Sequence, residues 1–190
     1  MKMDKLSDFL SRLLPFAENE LEPFVSLFSE ARLSKNGYFS KEGEYATRVG
    51  FVTQGVLRAF YRNPKGVEYN KTFFTENKFV GAYSSLITNQ KSLINIQCLT
   101  DCTFLVADFE KITQLYDHHP KIERFARVLA EQFFAIKETR EIELVMLDAG
   151  ERYKLFQHTY PNLENIIPQY QIASYLGVSP TQLSRIRAKN

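Results

Sequence analysis

The stretch IPQYQIASYLGVSPTQLSRIR, residues 167–187, predicts two helices joined by a tight turn. Apolar residues recur at helical spacing on both sides of Gly177. Glycine accepts the positive φ that ends a helix in a sharp turn, and Val178 then fills the angle between the two helices. Ser179 is a favourable N-cap, and Pro180 suits a first helical turn, where its missing N–H is not needed. This order of residues is typical of a helix-turn-helix.

The outer side of the second helix is polar and basic, whereas Leu183 and Ile186 supply its buried side. The N-terminal part of a recognition helix enters the major groove, where polar groups read base edges or hold phosphates. We expect Arg185 to contact a guanine, because its fork can bond O6 and N7 together. The residues predicted to contact DNA are Gln169, Gln171, Ser179, Pro180, Thr181, Gln182, Ser184, Arg185, Arg187 and Lys189. Those expected on phosphates are Ser179, Gln182, Arg187 and Lys189. The alternative is an ordinary helical hairpin with a solvated polar face.

Charge is distributed unevenly along the 190 residues. The chain has 24 basic and 22 acidic residues, a formal net charge of +2 that by itself indicates no partner. Residues 151–190 hold five basic and two acidic side chains, which leaves 19 basic and 20 acidic ones in residues 1–150. The basic excess at the C-terminal end is the small electrostatic footprint that suits a phosphate backbone.

The middle of the chain, from about residue 37 to residue 105, predicts a compact antiparallel β-domain, either a barrel or a roll. Short aromatic and β-branched runs occupy residues 49–52, 56–61, 69–74 and 93–98. Turn sequences at 41–43, 63–66 and 75–77 separate them. Upstream, residues 4–33 show an apolar period near 3.6 that Pro15 and Pro23 interrupt, which predicts two short amphipathic helices.

A long helix is expected from Pro120 to about Leu147, because this segment has no internal Pro or Gly. Such a helix is about 40 Å long, more than a small β-domain can cover. Its apolar residues form a stripe at three-four spacing, while Val128 and Phe134 lie off it, so we expect one side on the β-domain and the other on a partner chain. The predicted dimer contacts are Ile122, Phe125, Leu129, Gln132, Phe133 and Ile136. The alternative is a core helix of a monomer. A further helix is predicted over residues 151–158.

These residues resemble the Crp/Fnr transcription regulators, particularly the short members of the Bacteroidetes lineage. The resemblance runs from about residue 30 through the long helix and the segment ERYKLF at 151–156, and it is most specific in IASYLGVSPTQLSRIR at 172–187. It implies an α+β fold: an antiparallel, cyclic-nucleotide-binding-like β-roll (a double-stranded β-helix) with flanking helices, a long dimerisation helix and a small all-α helix-turn-helix domain.

The implied division is residues 1–116 for the N-terminal helices and roll, 117–148 for the long helix and 149–190 for the DNA-binding domain. The implied function is that of a homodimeric, sequence-specific regulator on near-palindromic DNA, with RNA polymerase as a further partner. Because the sequence stops at Asn190, we expect the domain to lack a full wing, either naturally or by truncation.

The stretch that corresponds to the family's phosphate-binding cassette departs from the pattern of members that bind cyclic AMP. Those members carry a Gly-Glu pair for the ribose and an Arg-Ser or Arg-Thr pair for the cyclic phosphate. The residues found here are Gly81, Ala82, Tyr83, Ser84 and Ser85, followed by Lys91 and Ser92. A lysine lacks the bidentate fork of arginine, so we expect no binding of cyclic AMP. If the roll holds another small ligand, these residues are the predicted site; the alternative is that Gly81 only makes a turn and Tyr83 only packs.

Two cysteines, Cys98 and Cys102, fall in a stretch predicted as one strand, where even spacing places them on one face. Two buried thiols are the expected state, with a disulfide switch as the alternative. An iron-sulfur cluster would need four cysteines, more than one chain supplies. No run of about 18 apolar residues occurs, and the N-terminus lacks the purely apolar core of a secretory signal, so we expect a cytoplasmic protein without membrane contact.

Two other functional classes compete with a DNA-binding regulator. A metal-dependent enzyme of the cupin type would place histidines in the β-domain, but His118, His119 and His158 lie outside it. We therefore expect no metal site and no enzymatic activity, since catalytic loop and nucleophile motifs are also missing. The other class is a ligand-sensing or protein-interaction module of the same fold that does not bind DNA by itself. In such a module the exposed face of residues 180–189 should be acidic or uncharged rather than basic.

Overall fold

The computed structural model describes residues 2–14 and 20–189, without the side chain of Lys2; Pro15 lies outside this part. The helices are α1 (Lys2–Leu13), α2 (Glu22–Val25), α3 (Tyr83–Thr88), α4 (Phe109–Gln114), α5 (Pro120–Met146), α6 (Ala149–Thr159), a 3-10 turn (Leu163–Asn165), α7 (Gln169–Leu176) and α8 (Pro180–Lys189). The strands are β1 (Ser29–Leu33), β2 (Tyr38–Ser40), β3 (Arg48–Gln54), β4 (Leu57–Arg62), β5 (Glu68–Phe74), β6 (Phe79–Val80), β7 (Asn95–Cys98) and β8 (Cys102–Asp108). None of these helices is long and apolar enough to cross a bilayer.

Two antiparallel sheets, in the orders β1-β8-β3-β6 and β2-β7-β4-β5, form the predicted β-roll. Strand β8 is buried on both faces, because alternate residues of a strand point to opposite sides. Phe104 and Val106 join a core cluster inside the roll. Leu105 and Ala107 point outward and pack with residues of α1, α2, α4 and α5. The α+β architecture with flanking helices is confirmed.

Helix α5 begins at Pro120 as predicted and spans 27 residues, or about 40 Å. Only its first turns are buried, since Ile122 and Phe125 are 2% and 3% exposed inside the outer core of the roll. Their prediction as dimer contacts is wrong: they pack within the chain, where Phe125 meets Phe24 and Phe79. An apolar stripe at three-four spacing indicates that one face of a helix is buried, but not whether the same chain or a partner chain covers it.

Two other local predictions are corrected. Residues 29–33, included in the expected helical region, form β1, which pairs with β8. Cys98 and Cys102 do not share a strand: Cys98 ends β7 in one sheet and Cys102 begins β8 in the other. Both are buried free thiols, and the hydrogen bond with Cys102, aided by burial, raises the pKa of Cys98.

Helix α6 starts two residues earlier than predicted because of a capping box. The Asp148 side chain accepts a hydrogen bond from the Glu151 N–H at 2.9 Å, and the Glu151 carboxylate accepts one from the Asp148 N–H at 2.8 Å. Such reciprocal bonds satisfy two of the donors that a helix start leaves open. The pair Asp148 and Glu151 at a spacing of three was the sequence signal for this start.

Gly55 and Gly177 both have a positive φ but differ in their surroundings. At Gly177 a Cβ would meet nothing within 4 Å, whereas at Gly55 it would lie 2.5 Å from the Asp101 carbonyl oxygen and 2.7 Å from Cys102 Sγ. We expect Gly177→Ala to lower the free energy of unfolding by about 1–2 kcal/mol, the cost of the left-handed backbone. Gly55→Ala should cost about 3 kcal/mol or more, because overpacking is added. Urea denaturation of both variants measures this, and equal losses would contradict the steric argument.

Candidate nucleic-acid interface

The turn between α7 and α8 has the predicted geometry. Gly177 ends α7 in the left-handed region with φ of 70°, and the Val178 N–H donates to the Ala173 carbonyl at 3.0 Å. Ser179 caps α8, because its Oγ accepts a hydrogen bond from the Gln182 N–H at 3.1 Å. These bonds between near neighbours fix the backbone of the turn between the two helices.

Helix α8 buries one side and exposes the other. Leu183 is 1% exposed, and Ile186 packs beside it. The exposed predicted DNA contacts are Ser179, Pro180, Thr181, Gln182, Ser184, Arg185, Arg187 and Lys189. Within the described part of the chain, the side chains of Arg185 and Lys189 make no ion pair. Their charges are therefore available to an anionic partner.

Arg187 differs from its neighbours because it faces Glu164. Its Nε lies 3.8 Å from Glu164 Oε2, an atom that also accepts a hydrogen bond from the Tyr153 hydroxyl at 2.5 Å. The other carboxylate oxygen accepts from Gln157 Nε2 at 3.1 Å. The Tyr153 hydrogen bond is the main reason why the pKa of Glu164 is lowered. A phosphate would compete with this carboxylate for Arg187.

The two glutamines of α7 have different positions. Gln169, at the start of the helix, donates from Nε2 to the Glu164 carbonyl at 3.2 Å, and its buried Oε1 has no partner among the described residues. Gln171 is 2% exposed and lies against the β-roll. Its predicted DNA contact is corrected: the side chain accepts hydrogen bonds from Arg58 and Asn70 and is not accessible to DNA in this arrangement.

The β-roll and residues 149–189, here called the helical unit, share one core cluster. The roll contributes Val56, Phe73 and Leu99, and the helical unit contributes Tyr153, Phe156, Leu163, Ile167, Ile172, Ala173, Tyr175, Leu176 and Leu183. Phe73 is central, with ring centroids 6.2, 5.6 and 5.3 Å from Phe156, Tyr160 and Tyr175. The helical unit is therefore packed on the outer face of β5.

Helix α5 also holds the helical unit. Arg140 donates from Nη2 to the Tyr175 carbonyl at 2.6 Å, and its guanidinium lies 4.1 Å from the centre of the Tyr175 ring. After α5 ends, Arg152 donates from Nη1 to the Leu147 carbonyl at 2.6 Å and from Nε to the Leu176 carbonyl at 3.1 Å. The arginines thus satisfy carbonyls that helix ends leave open.

The predicted ligand residues lie in α3 or beside it, and Ala82, Ser85 and Ser92 are buried. Ser85 is buried, accepts from the Ala46 N–H at 3.0 Å and donates to the Gln90 carbonyl at 2.5 Å. Ser92 is buried and donates to the Ile94 carbonyl at 2.8 Å. The remaining positions are Gly81, which is half-buried, Ala82, which is buried in the roll core, and Tyr83, Ser84 and Lys91, which are exposed.

An open groove of about 690 Å³ lies outside the roll, between α3, α4 and α5. Of the predicted ligand residues, Tyr83 alone lines it, and its ring meets Phe109 edge-on at 6.2 Å. Burial raises the pKa of Tyr116 in the same groove to about 12. The three histidines lie outside the strands, and no group of His, Cys, Asp or Glu suited to a metal ion occurs in the described ranges.

Beyond Leu129, which packs on the outer core, the remaining predicted dimer contacts are exposed. Gln132 faces solvent, and Phe133 and Ile136 are 39% and 65% exposed. Phe134, predicted to lie off the stripe, is 67% exposed. Further along α5, the exposed apolar residues are Ile142, Leu144, Val145 and Met146. The second half of α5 thus carries a large apolar surface that the described residues do not cover.

Residues 30–119 match the family model of the cyclic nucleotide-binding domain. No curated protein matches the sequence. Similar solved structures include FixK2 from Bradyrhizobium japonicum, 15% identical with a TM-score of 0.77, covering 85% of this chain and 83% of that one. The c-di-GMP responsive global regulator CLP from Xanthomonas campestris is 18% identical with a TM-score of 0.70, covering 91% of each chain. A Crp/Fnr-family protein from Eubacterium rectale is 13% identical with a TM-score of 0.71, covering 94% and 87%. The likeness to this group of regulators is confirmed at the level of the fold.

Glu68 at the tip of β5 generates a prediction about acid stability. Burial alone would raise its pKa, but hydrogen bonds from Arg62 and Arg58 outweigh burial and lower it. A carboxylate whose pKa is lower in the folded than in the unfolded state stabilises the fold at pH values above its unfolded pKa of about 4.3. This stabilisation is lost as the pH falls through the folded pKa. Glu68→Gln should therefore lower Tm most at pH 7, with the difference from wild type narrowing below about pH 4.

Thermal denaturation between pH 7 and pH 3 measures this difference. Glu76→Gln is the control, because Glu76 pairs with Lys5 at the surface, where a single ion pair contributes little. A Tm difference for Glu68→Gln that stays constant over the whole range would contradict the assigned role.

Proposed function

We propose that this chain, whose β-roll matches the cyclic nucleotide-binding domain and whose fold is that of the Crp/Fnr regulators, is a homodimeric, sequence-specific DNA-binding transcription regulator. The observation that carries the proposal is the exposed polar and basic side of α8, on a helix whose other side packs into the shared core through Leu183 and Ile186. An exposed polar and basic surface on a helix-turn-helix is suited to an anionic partner such as DNA. The fold is one of regulators rather than of enzymes.

Within this proposal the residues of α8 divide into two roles. Arg185 reads a guanine, because it is exposed, pairs with no acidic side chain among the described residues, and carries a planar fork that matches O6 and N7. Ser179, Gln182 and Lys189 hold phosphates, and Arg187 joins them when a phosphate displaces Glu164. Gln169 contributes from the start of α7, where N–H groups at a helix end also favour an anion.

A second copy of the chain is the proposed cover for the second half of α5. Phe133, Phe134 and Ile136 are exposed within about one turn of one helix, which suits a symmetric helix pair. We propose that the two α5 helices pair so that both recognition helices lie on the same side of the dimer, as a near-palindromic operator requires. RNA polymerase is the proposed further partner, and the cytoplasm the proposed location.

We further propose that the roll binds a small ligand other than cyclic AMP and that this ligand changes the affinity for DNA. The hydroxyls of Ser85 and Ser92 are already hydrogen-bonded to backbone groups. Lys91 occupies the position where binding of a cyclic phosphate would need a bidentate arginine. A screen of nucleotides and metabolites for a shift in operator affinity tests this part. An operator affinity unchanged across the screen would remove the ligand from the proposal.

Selection of bound duplexes from a random DNA pool, at low salt, tests DNA recognition. We expect wild type to recover a two-fold symmetric motif, and Arg185→Ala to relax one position in each half-site and to lose about 1–3 kcal/mol of discrimination there, the value of one bidentate contact. Arg12→Ala, an exposed arginine of α1, removes the same charge and should leave the motif intact. No enrichment by folded wild-type protein would favour a sensing or interaction module without DNA binding.

The dimer is tested by the mass of Ile136→Glu in solution. A carboxylate buried at a symmetric interface is uncompensated in both copies, so dimerisation should weaken by about 100-fold or more. Light scattering after size-exclusion chromatography measures the mass. Ile87→Glu, on exposed Ile87 of α3, is the matched control and should stay dimeric. A dimer mass for Ile136→Glu at micromolar concentration would show that α5 is not the interface.

A further inference from the structure

Strand β4 separates the inside of the roll from the helical unit. Leu57 and Ala59 point into the roll, where they are 0% and 1% exposed, and Arg58 between them points outward. The partner of Arg58 on the neighbouring strand β7 is Gln97. The wall between the two sides is thus one strand thick at Arg58.

Arg58 uses its whole guanidinium to connect the two sides. Nε and Nη2 donate to Gln97 Oε1 at 3.1 and 2.7 Å, and Nη2 lies 2.7 Å from Glu68 Oε2. Nη1 donates to Asn70 Oδ1 at 3.3 Å and to Gln171 Oε1 at 2.9 Å. The guanidinium also stacks 3.8 Å from the centre of the Phe60 ring. A buried fork with every donor engaged has one orientation, so it transmits position as well as charge.

Asn70 continues the connection along β5. Its Nδ2 donates to the Gln171 carbonyl at 2.8 Å and to Gln171 Oε1 at 2.7 Å, and its N–H donates to Ser174 Oγ at 3.0 Å. Ser174 Oγ in turn donates to the Glu68 carbonyl at 2.9 Å. As α7 advances from Gln171 to Ser174, the contacts move back along β5 toward Glu68, so the helix and the strand run antiparallel.

A third attachment lies at the other end of β5, where the Tyr160 hydroxyl is 3.1 Å from Thr72 Oγ1. Attachments at several points along one strand define the angle of the helical unit as well as its place. The docked unit still exposes Gln182 and Arg185 on α8. Docking therefore orients the proposed reading surface and does not block it.

We infer that Arg58 is a positioning residue through which the β-roll sets the orientation of the helix-turn-helix, and that β4 couples the interior of the roll to that orientation. The inference rests on the proposed DNA-binding function. It adds to pairing through α5, because the distance between two recognition helices in a dimer depends also on how each unit sits on its own roll. A displacement of Leu57 or Ala59 moves Arg58 and with it Gln171.

The matched pair Arg58→Lys and Arg62→Lys tests the inference. Lysine keeps the positive charge beside Glu68 but cannot serve Gln97, Asn70 and Gln171 together. Arg62 lies on the same strand and pairs with the same Glu68 at 2.7 Å, yet it makes no hydrogen bond or ion pair with the helical unit as described. Arg62→Lys therefore controls for the loss of an arginine–Glu68 ion pair on this strand, and the comparison isolates the contacts of Arg58 with the helical unit.

The readout is the affinity for duplexes with two half-sites at different spacings, compared with a single half-site. Wild type should prefer duplexes whose two half-sites have one particular spacing. In Arg58→Lys this preference should fall at least about tenfold, which corresponds to the loss of one charge-assisted hydrogen bond. The affinity for a single half-site should be unchanged. Arg62→Lys should keep the preference. Retention of the full preference and spacing by Arg58→Lys would overturn the inference.

Amide hydrogen exchange separates this result from a failure of the proposed function. In Arg58→Lys the amides of α7 should exchange at least about tenfold faster while those of β3 stay protected. If wild type binds no DNA, the proposed function fails, and the exchange rates alone then decide whether Arg58 orients the unit. If the amides of α7 exchange at the same rates in Arg58→Lys as in wild type, the positioning role is overturned.

Discussion

Phe73 is the contact on which the arrangement of the whole chain depends. It lies at the end of an edge strand, where an exposed aromatic ring would be costly, and it packs against Phe156, Tyr160 and Tyr175 of the helical unit. Without Phe73, Val56 and Leu99 of the roll, the helical unit would have to build its core from its own apolar residues, which is difficult for a unit of about 40 residues. The roll therefore serves as part of the core of the helix-turn-helix.

The polar contacts around that ring make the docking specific. Apolar burial is non-directional, so Phe73 by itself allows the helical unit to slide or rotate on β5. Arg58 and Asn70 remove that freedom, because each of their hydrogen bonds would be left unsatisfied in a rotated arrangement. Arg140 adds a link from α5 to the same unit. Stability and orientation thus come from different groups in one interface.

Local sequence was sufficient for the parts of the structure whose determinants are adjacent in the chain. The turn at Gly177, the cap at Ser179 and the start of α5 at Pro120 were predicted correctly because each depends on the backbone preference of one residue and a bond to a near neighbour. Strands β3, β4, β5 and β7 were found from runs of aromatic and β-branched residues, whereas β1 was placed in the expected helical region. The start of α6 could have been found as well, since Asp148 and Glu151 form a local capping box.

Only the folded chain could show which surface covers each residue. Gln171 looked like one more polar residue of a DNA-reading helix, and Ile122 and Phe125 like a dimer seam, yet all three are buried within the chain. Their partners, such as Arg58 for Gln171, are separated by up to 113 residues. The periodicity of a sequence indicates which side of a helix is apolar and which is polar, because this depends only on the residues of that helix. Which neighbour meets that side depends on long-range packing, a property of the folded whole that no local pattern contains.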